Sequence, residues 1–173
     1  MTIMVVSFTP EQAEASACQL AELLIDAVDS GASIGFMPPL CKAEALEYWN
    51  GVIASIRDGS RILLVALDGR LIQGSVQLAL EMRANGDHRA EVMKLFVHRR
   101  ARRRGLAKTL MAEAESTARQ LGRTLLVMDT RQGGEADKMC QSLGYIRFGE
   151  VPGYARSADG RLHATSFYYR QLD

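Results

Sequence analysis

The most constraining stretch of this 173-residue chain is a junction, "RAEVMKLFVHRRARRRGLAKTLM", at residues 89–111. A strand-like apolar run (89–98) passes without a linker into five arginines within positions 99–104. Leu106, Leu110, Ala114, Ala118 and Leu121 then recur at helical spacing, and Gly122 ends the run. A cation density this high does not enter a core. The chain must therefore surface between a buried strand and the first turn of a long helix. "TLLVMDT" (124–130) follows as a continuous apolar strand, the pattern of a strand covered on both faces. A strand–helix–strand unit of this kind puts the chain among the α/β proteins.

The remaining elements fit around that unit. "TIMVVSF" (2–8) reads as a first strand. Thr9 is an N-cap, with Pro10 at the first helical position and Gln12 completing a capping box. Ala13, Leu20, Leu24 and Ala27 form one helical stripe that stops at Gly31. "GASIGFMPPL" (31–40) is a loop, because Pro38 and Pro39 interrupt regular structure. A second helix buries Leu46, Trp49, Ile53 and Ile56 and ends at Gly59. "RILLVAL" and "LIQGSVQLAL" flank Asp68-Gly69, a hairpin signal, and "ANGD" (84–87) turns the chain into the 89–98 strand. After the 124–130 strand, a short helix carries Ala136, Met139, Cys140 and Leu143 on one face and stops at Gly144. "YIRFGEV" and "ATSFYYRQL" close the chain as strands joined by the loop "PGYARSADGRLH". The order is β-α-α-β-β-β-α-β-α-β-β: one domain over residues 1–173, with a mixed, mostly antiparallel sheet of about seven strands and about four flanking helices.

The place of the arginine run decides what it is for. The first N–H groups of a helix lack internal partners, and the macrodipole makes that end positive. Arg102-x-x-Gly105-x-Ala107 puts small residues where a phosphate must approach the backbone, so the run reads as an anion cradle. Two rivals compete with that reading: a solvated arginine cluster at a helix entrance, and a nucleic-acid patch. Net charge weighs against the patch. The chain carries +1 overall, and without those five arginines and Lys108 only 15 basic residues face 20 acidic ones. A polyanion-binding surface is basic well beyond one short run. Cys18, Cys41 and Cys140 are too few and too scattered for a disulfide framework or a zinc site, and no metal is expected. The start has no basic leader, and no apolar segment reaches the roughly 18 residues of a membrane span. A soluble, cytoplasmic protein is the expectation.

On "VMKLFVHRRARRRGLAKTLM" and on the element order, which covers almost the whole chain, the sequence resembles the GCN5-related N-acetyltransferases. A closer likeness in "GASIGFM", "AEVMKLFV", "LLVMDT" and "GYARSADGRLHATSFYY" looks like the tabtoxin-resistance acetyltransferase branch, whose known member acetylates a β-lactam-containing amino-acid toxin. The resemblance implies acetyl-CoA as cosubstrate and direct attack by a small amine in a ternary complex. It also implies that the strands holding Glu91 and Asp129 splay apart around the coenzyme. The pair Glu91 and Asp129 would then act as base through water. The backbone of Leu95, Phe96 and Val97 would grip the pantetheine arm and the developing oxyanion. Arg102, Arg103, Arg104, Gly105, Leu106, Ala107 and Lys108 would hold the pyrophosphate.

A base is useful on elementary grounds. An alkyl ammonium lies about 3.4 pH units above neutrality, so exposing its lone pair costs roughly 4.6 kcal/mol. The bland readings are a solvated strand residue for Glu91 and a strand-ending turn residue for Asp129. The family also carries a tyrosine acid in a pattern like N-x-x-A-x-x-L-Y. Here the run is "GGEADKMC": Ala136 fits, but Gly133 stands for the asparagine and Cys140 for the tyrosine. Cys140 is therefore either a weaker proton donor or a core residue, and Tyr154 is a second candidate acid or an aromatic wall. Phe36, Tyr154 and His163 are the candidate acceptor contacts, while Trp49 reads as core. Rival functions remain: an acyl-CoA-binding regulatory module without catalysis, and a protein-lysine acetyltransferase. A nucleic-acid patch would show a log–log salt slope near −4.5 for about five phosphate contacts. Exposed strand edges near the C-terminus permit a homodimer.

Overall fold

The computed structural model describes residues 3–173, so Thr2 of the expected first strand lies outside the described residues. The elements are β1 (Met4–Ser7), α1 (Pro10–Ala15), α2 (Ala17–Asp29), α3 (Lys42–Arg57), β2 (Arg61–Asp68), β3 (Leu71–Leu80), β4 (Arg89–Val97), α4 (Leu106–Gln120), β5 (Leu125–Arg131), α5 (Glu135–Ser142), β6 (Ile146–Arg156) and β7 (Leu162–Gln171). The strands form one seven-stranded sheet in the order β1-β2-β3-β4-β5-β7-β6. Every pairing is antiparallel except β4 with β5.

Local chemistry accounts for most boundaries. The Thr9 side chain accepts from the Gln12 N–H at 3.2 Å, and the Thr9 N–H donates to Gln12 Oε1 at 2.8 Å, closing the expected capping box. Cys41 caps α3 in the same reciprocal manner with Glu44. Four sequence readings need correction. The single first helix is two, because the backbone leaves helical geometry at Ser16 (φ −105°, ψ 7°). The bend buries Ala13 and the Leu20/Leu24/Ala27 face in one cluster. The hairpin turn is Gly69-Arg70, since Asp68 still pairs with Leu71 and Gly69 supplies the positive φ of 62°. Most of the expected closing loop is strand: β6 runs on through Pro152 to Arg156, and a register shift between Val151 and Ala155 absorbs the proline. Leu121 and Ala136, both expected on buried stripes, are exposed.

Two cores result, one on each face of the sheet. On one face α1–α3 bury Leu20, Leu24, Trp49, Leu63, Val65 and Phe96. On the other, α4 and α5 bury Leu78, Leu110, Met111, Leu126, Cys140 and Tyr168. The feature that positions the site is the behaviour of β4. It pairs with β5 only at Arg89, Ala90 and Glu91, while it stays on β3 as far as Val97. β5 stays on β7 as far as Arg131. The sheet therefore opens between its two central strands, just beyond Glu91.

Candidate active site

The arginine run divides between structure and surface. Residues Arg99–Ala101 form a single 3-10 turn. The Arg99 N–H donates to Asp26 Oδ2 at 2.9 Å and its guanidinium pairs with the same, nearly buried carboxylate. Arg100 donates to Gln73 Oε1 at 3.0 Å and to the Ile72 carbonyl at 3.1 Å. Arg102 donates to the Val97 carbonyl at 3.1 Å. These three tie the strand-to-helix turn to β3, β4 and α2. Arg103, Arg104 and Lys108 remain exposed around the entrance of α4. Arg103 (φ 60°) and Gly105 (φ 80°) are both left-handed, and no side chain caps the helix. The space where a Gly105 side chain would sit is open. An uncapped helix start, with small residues at 105 and 107 and cations at its rim, is a place where an anion can reach main-chain N–H groups.

The gap between β4 and β5 is the floor of a cleft of about 690 Å³. Glu91, Lys94 and Leu95 line it from β4, Met128 and Asp129 from β5, and Tyr154 from β6. The loop 31–35 and Gly133–Ala136 complete its walls, and Arg102 links it to the cradle. Glu91 and Asp129 thus meet in one cleft although 38 positions separate them in sequence. Burial pushes the Glu91 carboxyl above the usual carboxylate range, and the neighbouring Asp129 charge adds to this. Burial also raises Asp129, against the attraction of Lys94. The Asp129 side chain is open to solvent within the cleft, so its shift is the more easily screened of the two. Two carboxylates held toward the protonated side of their range are suited to receive a proton near neutrality.

Sequence reasoning missed Lys94. It lies at a β-bulge: Gln77 pairs with Met93 and Ser75 with Phe96, which leaves Lys94 and Leu95 facing Val76 alone. The spacing of Glu91 and Lys94 was the available signal. Two polar residues three apart in an apolar strand cannot share a face unless the strand is irregular. The bulge also redirects the following residues. Phe96 turns into the α1–α3 core, edge-on to Trp49, and does not line the cleft. Val97 packs in the α4 core and its carbonyl is taken by Arg102. Of the three residues expected along the pantetheine arm, only Leu95 borders the cleft.

The other candidates separate clearly. Cys140 is fully buried in the α4/α5 core, 3.6 Å from the Met128 sulfur. Burial and the nearby Asp137 charge push its thiol up to about 12. It does not face the cleft, so it packs and is not placed to donate a proton there. Asp137 beside it anchors α5: it accepts from the Tyr168 hydroxyl at 2.7 Å and the Gly133 N–H at 2.9 Å. Tyr154 lies on β6 rather than in a loop, lines the cleft and stands edge-on to Phe167 at 5.3 Å. His163, on β7, does not line the cleft itself; Arg131, which does, places its guanidinium 3.2 Å from both ring nitrogens. Phe36 borders a separate cleft of about 530 Å³ with Tyr48, Glu47 and Arg61. Its link to the main cleft runs through Lys94, whose ammonium lies 5.6 Å from the Phe36 ring centroid.

The model of the acetyltransferase (GNAT) family matches residues 26–145, well over half of the chain, and the chain belongs to that family. Solved structures agree in fold. An N-acetyltransferase from Staphylococcus aureus Mu50 superposes with a TM-score of 0.81 at 16% identity, covering 100% of both chains. The yncA protein of Salmonella typhimurium, solved with its cofactor acetyl-CoA, gives 0.79 at 19% identity over 100% of this chain and 95% of that one. A ribosomal-protein-alanine N-acetyltransferase from Brucella melitensis gives 0.78 at 23% identity over 98% of this chain and 99% of that one. At these identities the likeness is one of architecture. Among the described residues no helix is long and apolar enough to cross a membrane.

Proposed function

We propose that the protein is an acetyl-CoA-dependent N-acetyltransferase that acts on the amine of a small molecule, of the toxin- or antibiotic-like amino-acid kind, in the cytoplasm. The observation that carries this reading is the convergence of Glu91 and Asp129 on one cleft that reaches Arg102, three residues before an uncapped helix start at Gly105. The residues fit the coenzyme: the first-turn amides of Leu106, Ala107 and Lys108 with the exposed Arg103, Arg104 and Lys108 side chains would hold the pyrophosphate. The side of β4 facing the gap, left without a strand partner beyond Glu91, would hold the pantetheine arm.

When bound, acetyl-CoA supplies an activated acyl carbon. The protein supplies the rest. Glu91 and Asp129 hold the acceptor ammonium by charge and take its proton, directly or through water, which exposes the nitrogen lone pair. Main-chain N–H groups of β4 on the open side are donors for the carbonyl oxygen as charge develops there. Tyr154 walls the acceptor side. With Cys140 buried, the departing sulfur takes its proton from water or from the product ammonium. A homodimer, if formed, would use the exposed edge at β6. Calorimetric titration with acetyl-CoA, followed by thiol release from acetyl-CoA with an amine panel, tests the reading. Binding with release for at least one amine is expected. No binding at millimolar acetyl-CoA refutes it, and binding without release by any amine turns the protein into an acyl-CoA-responsive regulatory module.

A further inference from the structure

Lys94 carries more structure than a strand residue needs. Its φ of 54° lies in the left-handed region, which costs a residue with a side chain about 1 kcal/mol or more and persists only where its surroundings impose it. In a regular strand position 94 would share the face of Ala90 and Val92 and point into the α4 core. The bulge instead delivers its ammonium to the opposite face. There Nζ donates to the Ile34 carbonyl and lies 5.6 Å and 6.0 Å from the ring centroids of Phe36 and Tyr48. The loop is shaped to receive it. Gly35 has φ 87°, a conformation that favours glycine, and a Cβ there would sit 3.1 Å from Nζ and crowd the ammonium. Behind the ammonium, the Tyr48 hydroxyl accepts from Gln77 Nε2 at 3.0 Å, and Gln77 Oε1 accepts from Arg61 at 2.7 Å. The charged groups facing Lys94 are Glu91 on its own strand, Asp129 from β5 and Arg61 from β2.

We propose that Lys94 is a positioning residue that couples the acceptor loop to the carboxylate pair, one ammonium clamping residues 34–36 beside the cleft while offsetting the negative charge of Glu91 and Asp129. The role rests on the transferase reading. In consequence, loop order and the proton affinity of the base are linked in opposite directions: a loosened loop takes the ammonium from its place and raises the proton affinity, so a ligand that displaces the loop also changes the base. The attraction between Lys94 and the two carboxylates supports the link, since it opposes the burial that raises both.

The test needs no acceptor amine. In ligand-free Lys94→Met, amide hydrogen exchange at residues 33–37 should accelerate about tenfold or more as the clamp is lost. The 13C-carboxyl titration midpoints of Glu91 and Asp129 should move upward as their counter-charge disappears. Lys94→Arg should restore part of both properties, which a filler of space would not. Gly35→Ala perturbs the same link from the loop side: its Cβ would sit 3.1 Å from Nζ, so it should loosen residues 33–37 and move the carboxyl midpoints in the direction of Lys94→Met by a smaller amount. Far-ultraviolet circular dichroism and a cooperative thermal melt serve as the control for folding. Wild-type loop exchange and wild-type midpoints in a folded Lys94→Met protein would overturn the proposal. So would midpoints that Lys94→Arg leaves as displaced as Lys94→Met does. A wild-type protein that acetylates nothing would sink the transferase reading separately, with these ligand-free measurements still standing.

Discussion

The two halves of the sheet are built to different standards. From β1 to β4 both faces are covered, by α1–α3 on one side and α4 on the other, and the strand interiors of β2 and β3 are almost wholly buried. From β5 to β7 only the α4/α5 side is covered. On the bare side Ile146 and Phe148 are 53% and 62% exposed, and Phe148 leans on Phe167 and Tyr169 at 6.2 Å and 6.0 Å. The covered half holds the proposed anion cradle and one carboxylate. The bare half holds the other carboxylate and Tyr154, the proposed acceptor wall. Cosubstrate binding should therefore depend on the first half and acceptor choice on the second.

The sharpest way to break that division is Gly105→Val. It forces a β-branched residue into φ 80° and fills the open approach to the first helical amides, so acetyl-CoA affinity should fall about 100-fold or more by calorimetry. Tyr154→Ala, in the bare half, should leave that affinity within about twofold and raise KM for the amine. A comparable loss of acetyl-CoA binding in both variants would erase the distinction.

Next in size are the carboxylates. Glu91→Gln and Asp129→Asn should each lower kcat/KM about 100-fold, the usual scale for a positioned base. In the wild type, kcat/KM should fall as the pH drops through carboxyl midpoints that lie above the ordinary range. Stability has the opposite sign. A carboxyl whose folded pKa is raised binds its proton more tightly folded than unfolded, so ionising it costs stability once the pH passes the unfolded value. Each amide variant should therefore melt no lower than wild type at pH 7, gaining at most about 1 kcal/mol given the partial exposure. Melting well below wild type would show instead that the charges support the fold.

Smaller effects sharpen the proton-donor question. Tyr154→Phe should keep kcat within about threefold, since its ring is the wall; a drop of about 100-fold would make the hydroxyl an acid. Cys140→Ala should cost about 1 kcal/mol of stability through a small cavity and leave kcat/KM within about threefold. In the native protein a maleimide should label the exposed Cys18 and Cys41 and spare Cys140. Least of all, Phe148→Ser should change stability by less than about 0.5 kcal/mol. Sedimentation of the same variant reports whether a second copy covers the bare face.

How much of this was legible depended on how local the determining interactions are. The capping box at Thr9, the glycine stops of the helices, the presence of the hairpins and the strand–arginine–helix junction rest on residues within a few positions of one another. A chain reads these correctly. The break at Ser16, the extension of β6 through Pro152 and the exposure of Leu121 answer to distant packing, which outweighs local pattern. The same divide runs through the site. Arg102, Gly105 and Ala107 could be placed from their own neighbourhood. The split of the arginines could not, because it depends on where Asp26 and Gln73 come to lie. Cys140 followed a helical stripe that was equally consistent with packing and with donation, and only its burial against Met128 separates them.

By itself, then, the sequence determined the α/β element order, the family and the glycine turn at the start of α4, because a capping residue, a left-handed glycine and an apolar period act on their own stretch of backbone. Only the tertiary structure decided that β4 leaves β5 after Glu91, that a bulge sends Lys94 toward the acceptor loop and Phe96 into the core, and that Glu91 and Asp129 share a cleft. Those outcomes are set by register between strands remote in the chain, where a shift of one residue exchanges the faces of everything that follows.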